Sequence, residues 1–357
     1  MKMNLKLTSR ADLYLVHGKV PHYHEMVNLS RYILKLMIED LGLDETVRRF
    51  SNAAWFQCLA SVLGMEWYTS GSTTVVFKAL KEASIKENLP IKFLGGKGKD
   101  AINIQKEIEK YDLDGKFKEI SIITVKTDNA LIQDSFQIYF HGMIIGEKEY
   151  VVINQGMNEK ERLVRRYHWL SPEDFREDHF KSETNKVTLN LAHRKIEETR
   201  KAILDLLQEP IERIQRYFIT VKNTLENRTL SEYFENIKII RLPYYLKLPK
   251  KLDLKVIEKA REVIEFKELL KIKGLGPATF RALALIASII YGEPLYWEKP
   301  EIYSYAHGTK SGKPYFVNKK LMLESAEILK EIIEKLPKEY RVKAMRRLAR
   351  TTGAAGI

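Results

Sequence analysis

The stretch Lys271–Ser288, KIKGLGPATFRALALIAS, constrains this chain more than any other. Upstream of it, Val256, Ile257, Ala260, Val263, Ile264, Leu269 and Leu270 recur at roughly helical spacing, which predicts an amphipathic helical run over Val256–Ile272. Gly274 and Gly276 then permit a tight turn that tolerates left-handed backbone. Pro277 suits the first turn of a second helix, where its missing N–H removes no bond. The amides at that helix start point outward without intrahelical acceptors, so they are able to hold a phosphate. The expected contacts are the backbone of Gly274, Leu275, Gly276 and Thr279, with Lys271, Lys273 and Arg281 around them. The bland alternative is an ordinary corner between two packed helices.

Charge gives the hairpin its context. The 357 residues carry a formal net charge of +13, which argues for a polyanionic partner without specifying a fold. No apolar run is long enough to span a membrane. The N-terminal MKMNLKLTSR has no signal-peptide core, and a single cysteine, Cys58, excludes disulfides and Cys-based zinc sites. A cytoplasmic protein follows as the expectation. Abundant Lys and Glu with one Cys is a thermophile-like balance.

Along the chain the texture changes twice. Residues 1–90 read as a mainly helical unit after a short apolar segment at 11–19; Pro21, Gly42, Gly64 and Pro90 punctuate its helices. Residues 91–170 read as an α/β unit. Within it, Ser121–Val125, Ser135–Ile145 and Tyr150–Gly156 look like strands, the last two forming a hairpin. Asn158–His168 reads as a charged helix and 171–190 as a polar linker. Residues 191–357 read as a helical unit containing the hairpin at 256–290 and a basic end with Arg341, Lys343, Arg346, Arg347 and Arg350. The fold expected is α+β: helical N-terminal unit, small antiparallel sheet, helical C-terminal unit.

Several stretches could carry chemistry. His17 and Lys19 lie in a loop before a helix start and could grip a phosphate or move a proton. Gly95–Lys99, GGKGK, is a flexible basic loop offering Lys97 and Lys99; it lacks the first glycine and the Ser/Thr of a nucleotide-binding P-loop. Strand alternation over Phe136–His141 would put Gln137, Tyr139 and His141 on one face. Gln155 lies on the partner strand, and Arg165, Arg166 and His168 follow. Read as one site, Asp134 would bind Mg²⁺ or Mn²⁺, His141 or His168 would move a proton, and the arginines would clamp a phosphate. No nucleotide or organic cofactor is called for. A PD-(D/E)xK nuclease would place a carboxylate and a lysine where Asn154 and Gln155 stand. His307 and Lys310, among clustered tyrosines, complete the candidate contacts.

Two resemblances bear on these stretches. The Gly-Leu-Gly-Pro segment resembles a helix-hairpin-helix, a non-sequence-specific DNA-backbone module of repair enzymes, ligases and nucleases. More broadly, the chain resembles the family called domain of unknown function 763, of archaea and some bacteria. The residues that carry this resemblance are Ala11–Leu13 with His17–Pro21, Trp55–Gln57, Ser70-Gly71 with Thr73-Thr74, Gly95–Lys99, Gln155–Asn158, Arg165–Trp169 and Ala306–Gly308. It implies an archaeal source and one shared site, and no activity. The expectation is a DNA-binding protein of repair or genome maintenance that cleaves phosphodiesters. The alternatives are a non-catalytic DNA or RNA binder and a helix-hairpin-helix glycosylase. Against the glycosylase, Ala278 and Asn318 stand where its lysine and aspartate would be.

Overall fold

The computed structural model describes residues 8–16, 18, 20, 22–65, 69–176, 187–227, 242–298 and 319–352. In chain order the elements begin with β1 (Thr8–Tyr14), α1 (Tyr23–Leu41), α2 (Leu43–Arg49), α3 (Ala53–Val62) and α4 (Gly71–Lys86). There follow β2 (Lys92–Lys97), α5 (Lys99–Lys110), α6 (Lys116–Lys126), a π-turn at Thr127–Leu131 and β3 (Ile132–Gln133). Next come β4 (Gln137–Ile145), β5 (Tyr150–Asn158), β6 (Leu163–Leu170), β7 (Thr188–Asn190), α7 (Glu197–Gln208) and α8 (Ile211–Asn227). The chain closes with α9 (Leu254–Ala260), α10 (Phe266–Leu269), α11 (Pro277–Tyr291), β8 (Trp297–Glu298), α12 (Lys319–Glu334) and α13 (Lys338–Thr352).

The fold is α+β, in two compact units rather than the three expected. The first draws on residues 1–121, 136–173 and 301–357, the second on 122–135 and 174–300. In the first, a five-stranded antiparallel sheet has the order β1-β6-β5-β4-β2. Its central strands are buried on both faces, which is why they read as nearly unbroken apolar runs. One face packs against α1, α3 and α4 through Phe50, Phe56, Phe77, Phe93, Phe140 and Ile153. The other packs against α5 and α6 through Ile104, Ile108, Phe117, Met143, Val152 and Trp169. Asn52 caps α3 by accepting the Trp55 amide at 2.9 Å. The helices α12 and α13 complete the α1/α3/α4 core with Leu329, Ile332, Ile333, Leu336 and Leu348. They therefore do not belong with the rest of 191–357. In the second unit, β3, β7 and β8 form a three-stranded sheet. There α7 to α11 share one core, built from Ile203, Phe218, Ile257, Phe266, Phe280 and Leu283.

Local expectations fail in four places. Residues 121–125 are helical, within α6. Their β-branched side chains suggest a strand, but Phe117, Ile120, Ser121 and Thr124 are buried at helical spacing, and packing overrides propensity. Residues 158–168 are the end of β5, a turn and β6 rather than a helix. Gly95, Gly96 and Lys97 belong to β2, paired with Gly142, His141 and Phe140, and do not form a loop. The run over 256–272 is broken into two short helices, α9 and α10.

Candidate functional site

The polar residues expected to share one strand face are divided between two. In the β4–β5 register, Ile138 pairs with Gly156 and Phe140 with Gln155, so Tyr139 is an extra residue in a bulge. The Tyr139 hydroxyl accepts from Gln155 Nε2 at 2.5 Å, on the side of α4. His141 points the other way, to Ser121 of α6. Simple alternation, which would put Tyr139 and His141 together, breaks at the bulge.

On the α3/α4 side, β6 presents Arg166 and His168, both fully buried. Arg166 Nη1 donates to Thr73 Oγ1 at 3.1 Å, and Nη2 to the Ala53 carbonyl at 3.2 Å and to Gln57 Oε1 at 3.3 Å. Its Nε donates to His168 Nε2 at 2.7 Å. His168 therefore carries its proton on Nδ1, which donates to the Phe50 carbonyl at 2.7 Å. Thr73 in turn donates to Gln155 Oε1, and Ser72 to Gln57 at 3.2 Å. One continuous network thus runs from Tyr139 through Gln155, Thr73 and Arg166 to His168. The guanidinium also lies over the Phe56 ring, 4.5 Å from its centroid. Burial pushes the Arg166 pKa down to about 9. Burial, then the charge of Arg166, holds His168 neutral, well below the ordinary histidine range.

On the other face, His141 and Asn154 are direct cross-strand partners, and His141 Nδ1 meets Asn154 Oδ1 at 2.6 Å. Ser121 Oγ lies 2.7 Å from Nε2. Burial lowers the pKa of this ring to about 4, so both histidines are neutral at pH 7. Arg165 is the register partner of Asp12 on β1 and pairs with it through two contacts, Nε–Oδ1 at 2.7 Å and Nη2–Oδ2 at 3.1 Å. It stacks on Phe136 at 4.7 Å.

The roles drawn from sequence meet this geometry unevenly. Arg165 and Arg166 were expected to clamp a phosphate, but their donors hold Asp12 and a buried set of neutral acceptors. His141 and His168 were expected to move protons; each is buried with both ring nitrogens engaged. Gln155 belongs to the network, and Gln137 is exposed at the start of β4. Asp134 is buried in the second unit, just after β3. Among the described residues no three His, Cys, Asp or Glu side chains come together as metal ligands would. His17, Lys19, His307 and Lys310 lie outside the described residues. Sequence reading missed Ser121 and Ser72 as partners; Asn154 and Tyr139 were named on their strands, without the bonds they make. Gln57, Ser70 and Thr73 were visible within the family-like motifs, without the bonds they make here.

The basic positions divide likewise. Lys97 is exposed, its ammonium 5.6 Å from the centroid of the Tyr139 ring, and Lys99 opens α5. Arg281 was expected to flank the hairpin as a nucleic-acid contact. It is buried, donating to the Lys247 carbonyl and to Gln133 Oε1. Gln133 also donates to the Pro277 carbonyl at 2.9 Å, fastening the start of α11.

At the hairpin itself, α10 leads through residues 270–276 into α11. Gly274 has φ +95°, and a Cβ there would lie 2.9 Å from Val256 Cγ2. Leu275 is buried; Lys271, Lys273 and Gly274 are exposed. Pro277 occupies the first turn of α11, and the Thr279 and Phe280 amides donate to the Gly276 carbonyl at 3.1 Å. Lys271 pairs with Glu268 at 2.6 Å.

A family model described as a protein of unknown function (DUF763) matches residues 9–317. No curated protein and no solved structure matches the chain.

Proposed function

The chain belongs to this family of proteins of unknown function, DUF763, and we propose that it binds nucleic-acid backbone through the glycine turn before α11. One observation carries the reading. An exposed turn at Lys273-Gly274 runs into a proline-started helix, with Lys271 and Lys273 exposed beside it. Exposed ammonium groups beside a glycine turn that lets a phosphate approach the backbone closely suit phosphate oxygens and read no base sequence. The net charge of +13 agrees with a polyanionic partner. DNA is the partner proposed, in repair or genome maintenance, and RNA is an arm of the test.

The buried network of the first unit is assigned to the framework. Its arginines and histidines already donate and accept within the protein, so a phosphodiester could reach them only by displacing those bonds. Cleavage is therefore not assigned to His141, Arg166 or His168.

The test is fluorescence anisotropy with labelled duplex DNA, single-stranded DNA and RNA over a salt series, with gel analysis of the same samples in Mg²⁺, Mn²⁺ or EDTA. The expected result is intact, retarded nucleic acid with a steep salt slope, weakened for every sequence by Lys273→Glu. Equal binding by Lys273→Glu and wild type would remove the hairpin reading. Metal-dependent strand cutting would restore a nuclease.

A further inference from the structure

A third basic group belongs to the hairpin, from an element far away in sequence. Lys126 ends α6 and is half-buried, and its Nζ donates to the Leu275 carbonyl at 3.1 Å. Leu275 sits between the two glycines of the turn. An ammonium has three donors, and this carbonyl takes one. Among the described residues no carboxylate pairs with Lys126, and burial alone lowers its pKa. A partly desolvated cation beside a neutral carbonyl is electrostatically unbalanced, and an anion arriving at the turn would balance it. Lys271 and Lys273 sit on the turn's own chain, and Lys271 shares its charge with Glu268. Lys126 is hydrogen-bonded to the turn itself before any ligand arrives, so less side-chain freedom is lost on contact.

We propose that Lys126 is a phosphate-binding residue of this turn, its ammonium held in place by Leu275 to receive a backbone phosphate oxygen. The inference rests on the hairpin reading above. The residue carries no base readout, so its contribution is uniform across sequences and sensitive to salt.

Lys126→Met keeps most of the aliphatic stem and removes the charge, while Lys126→Arg keeps the charge. In the anisotropy assay Lys126→Met should weaken duplex binding several-fold. It should also lower the slope of log K against log salt by about one contact, roughly 0.9. Lys126→Arg should keep the wild-type slope, which ties the drop in Lys126→Met to the lost charge; a purely structural lysine would leave the slope unchanged in both variants. The wild-type protein supplies a second measurement that needs no variant to fold: lysine acylation with and without duplex DNA, read by mass spectrometry. DNA should protect Lys126 together with Lys273. Protection of Lys273 alone, or an unchanged slope in Lys126→Met while Lys273→Glu loses binding, overturns the inference and leaves the hairpin standing. Failure of the wild-type protein to bind overturns both.

Discussion

Arg166 places a guanidinium among neutral acceptors: a threonine hydroxyl, a glutamine carbonyl, a main-chain carbonyl and an imidazole nitrogen. Removing it would leave several buried acceptors without a donor, at about 1–3 kcal/mol each. Arg166→Met is therefore expected to lower stability by several kcal/mol in urea unfolding. Arg166→Lys should not recover it, because a point ammonium cannot span the fork of partners. A variant within about 0.5 kcal/mol of wild type would contradict the framework role. The histidines make a separate prediction. In the unfolded chain they titrate near 6.5, whereas His141 in the fold titrates at about 4 and His168 also lies below its ordinary value. As pH falls below about 6.5 the unfolded chain takes up protons that the fold refuses. Stability is thus complete above that pH and is lost on the way to pH 4. Each buried histidine contributes up to about 1.4 kcal/mol per pH unit in that window. Melting temperatures at pH 7.5, 5.5 and 4.5 should fall, and His141→Leu should flatten part of the profile. A wild-type profile that is flat across this window would mean that the rings are protonated in the fold.

At the scale of elements, two devices set local geometry. The turn before α11 needs a left-handed residue at Gly274, packed closely over Val256 of α9. Gly274→Ala should cost about 1–3 kcal/mol from backbone strain, plus the clash. Adding Val256→Ala should relieve the clash and leave the strain, so double-mutant unfolding would separate the two. If Gly274→Ala is neutral, the turn does not have this conformation in solution. The β4–β5 hairpin is held from α2: Asp44 Oδ1 accepts the amides of Glu147, Lys148 and Glu149 at 3.0, 2.9 and 3.1 Å. Burial alone would raise the Asp44 pKa, but these amides lower it. Its contribution is present above the ordinary carboxylate range and disappears as pH falls through the lowered value. Asp44→Ala is expected to remove about 1–2 kcal/mol and to speed amide exchange at 147–149 specifically. Unchanged exchange there would show that the loop holds itself.

Across the whole molecule, the chain leaves the first unit and returns to it twice. The helices α12 and α13 end the described chain yet belong to the core begun by α1 and α3. A protein cut after residue 300 should therefore lose stability in the first unit, exposing the surfaces that Leu329, Ile333 and Leu348 cover. Hydrogen exchange should rise in α3 while α11 stays protected. Equal loss in both units would mean that they unfold together. Among the described residues no helix is long and apolar enough to cross a membrane.

The sequence by itself determined the α+β class, the sheet hairpin over β4 and β5, and the helix-turn-helix corner at residues 274–277, because these follow from local periodicity and turn chemistry. It also marked the residues of the polar cluster, since Gln, His and paired Arg are unusual in apolar strands. Their role was not legible. Whether Arg166 faces solvent or Thr73 depends on which helix covers that face of β6, and α3 and α4 lie about a hundred residues away in the chain. The bulge at Tyr139 separated two residues that strict alternation had joined, because register is a property of the strand pair rather than of one strand. Lys126 could not be placed at the hairpin from sequence, since the contact spans 149 positions. Only tertiary packing decides which polar groups are left to meet a ligand and which are already engaged by the fold.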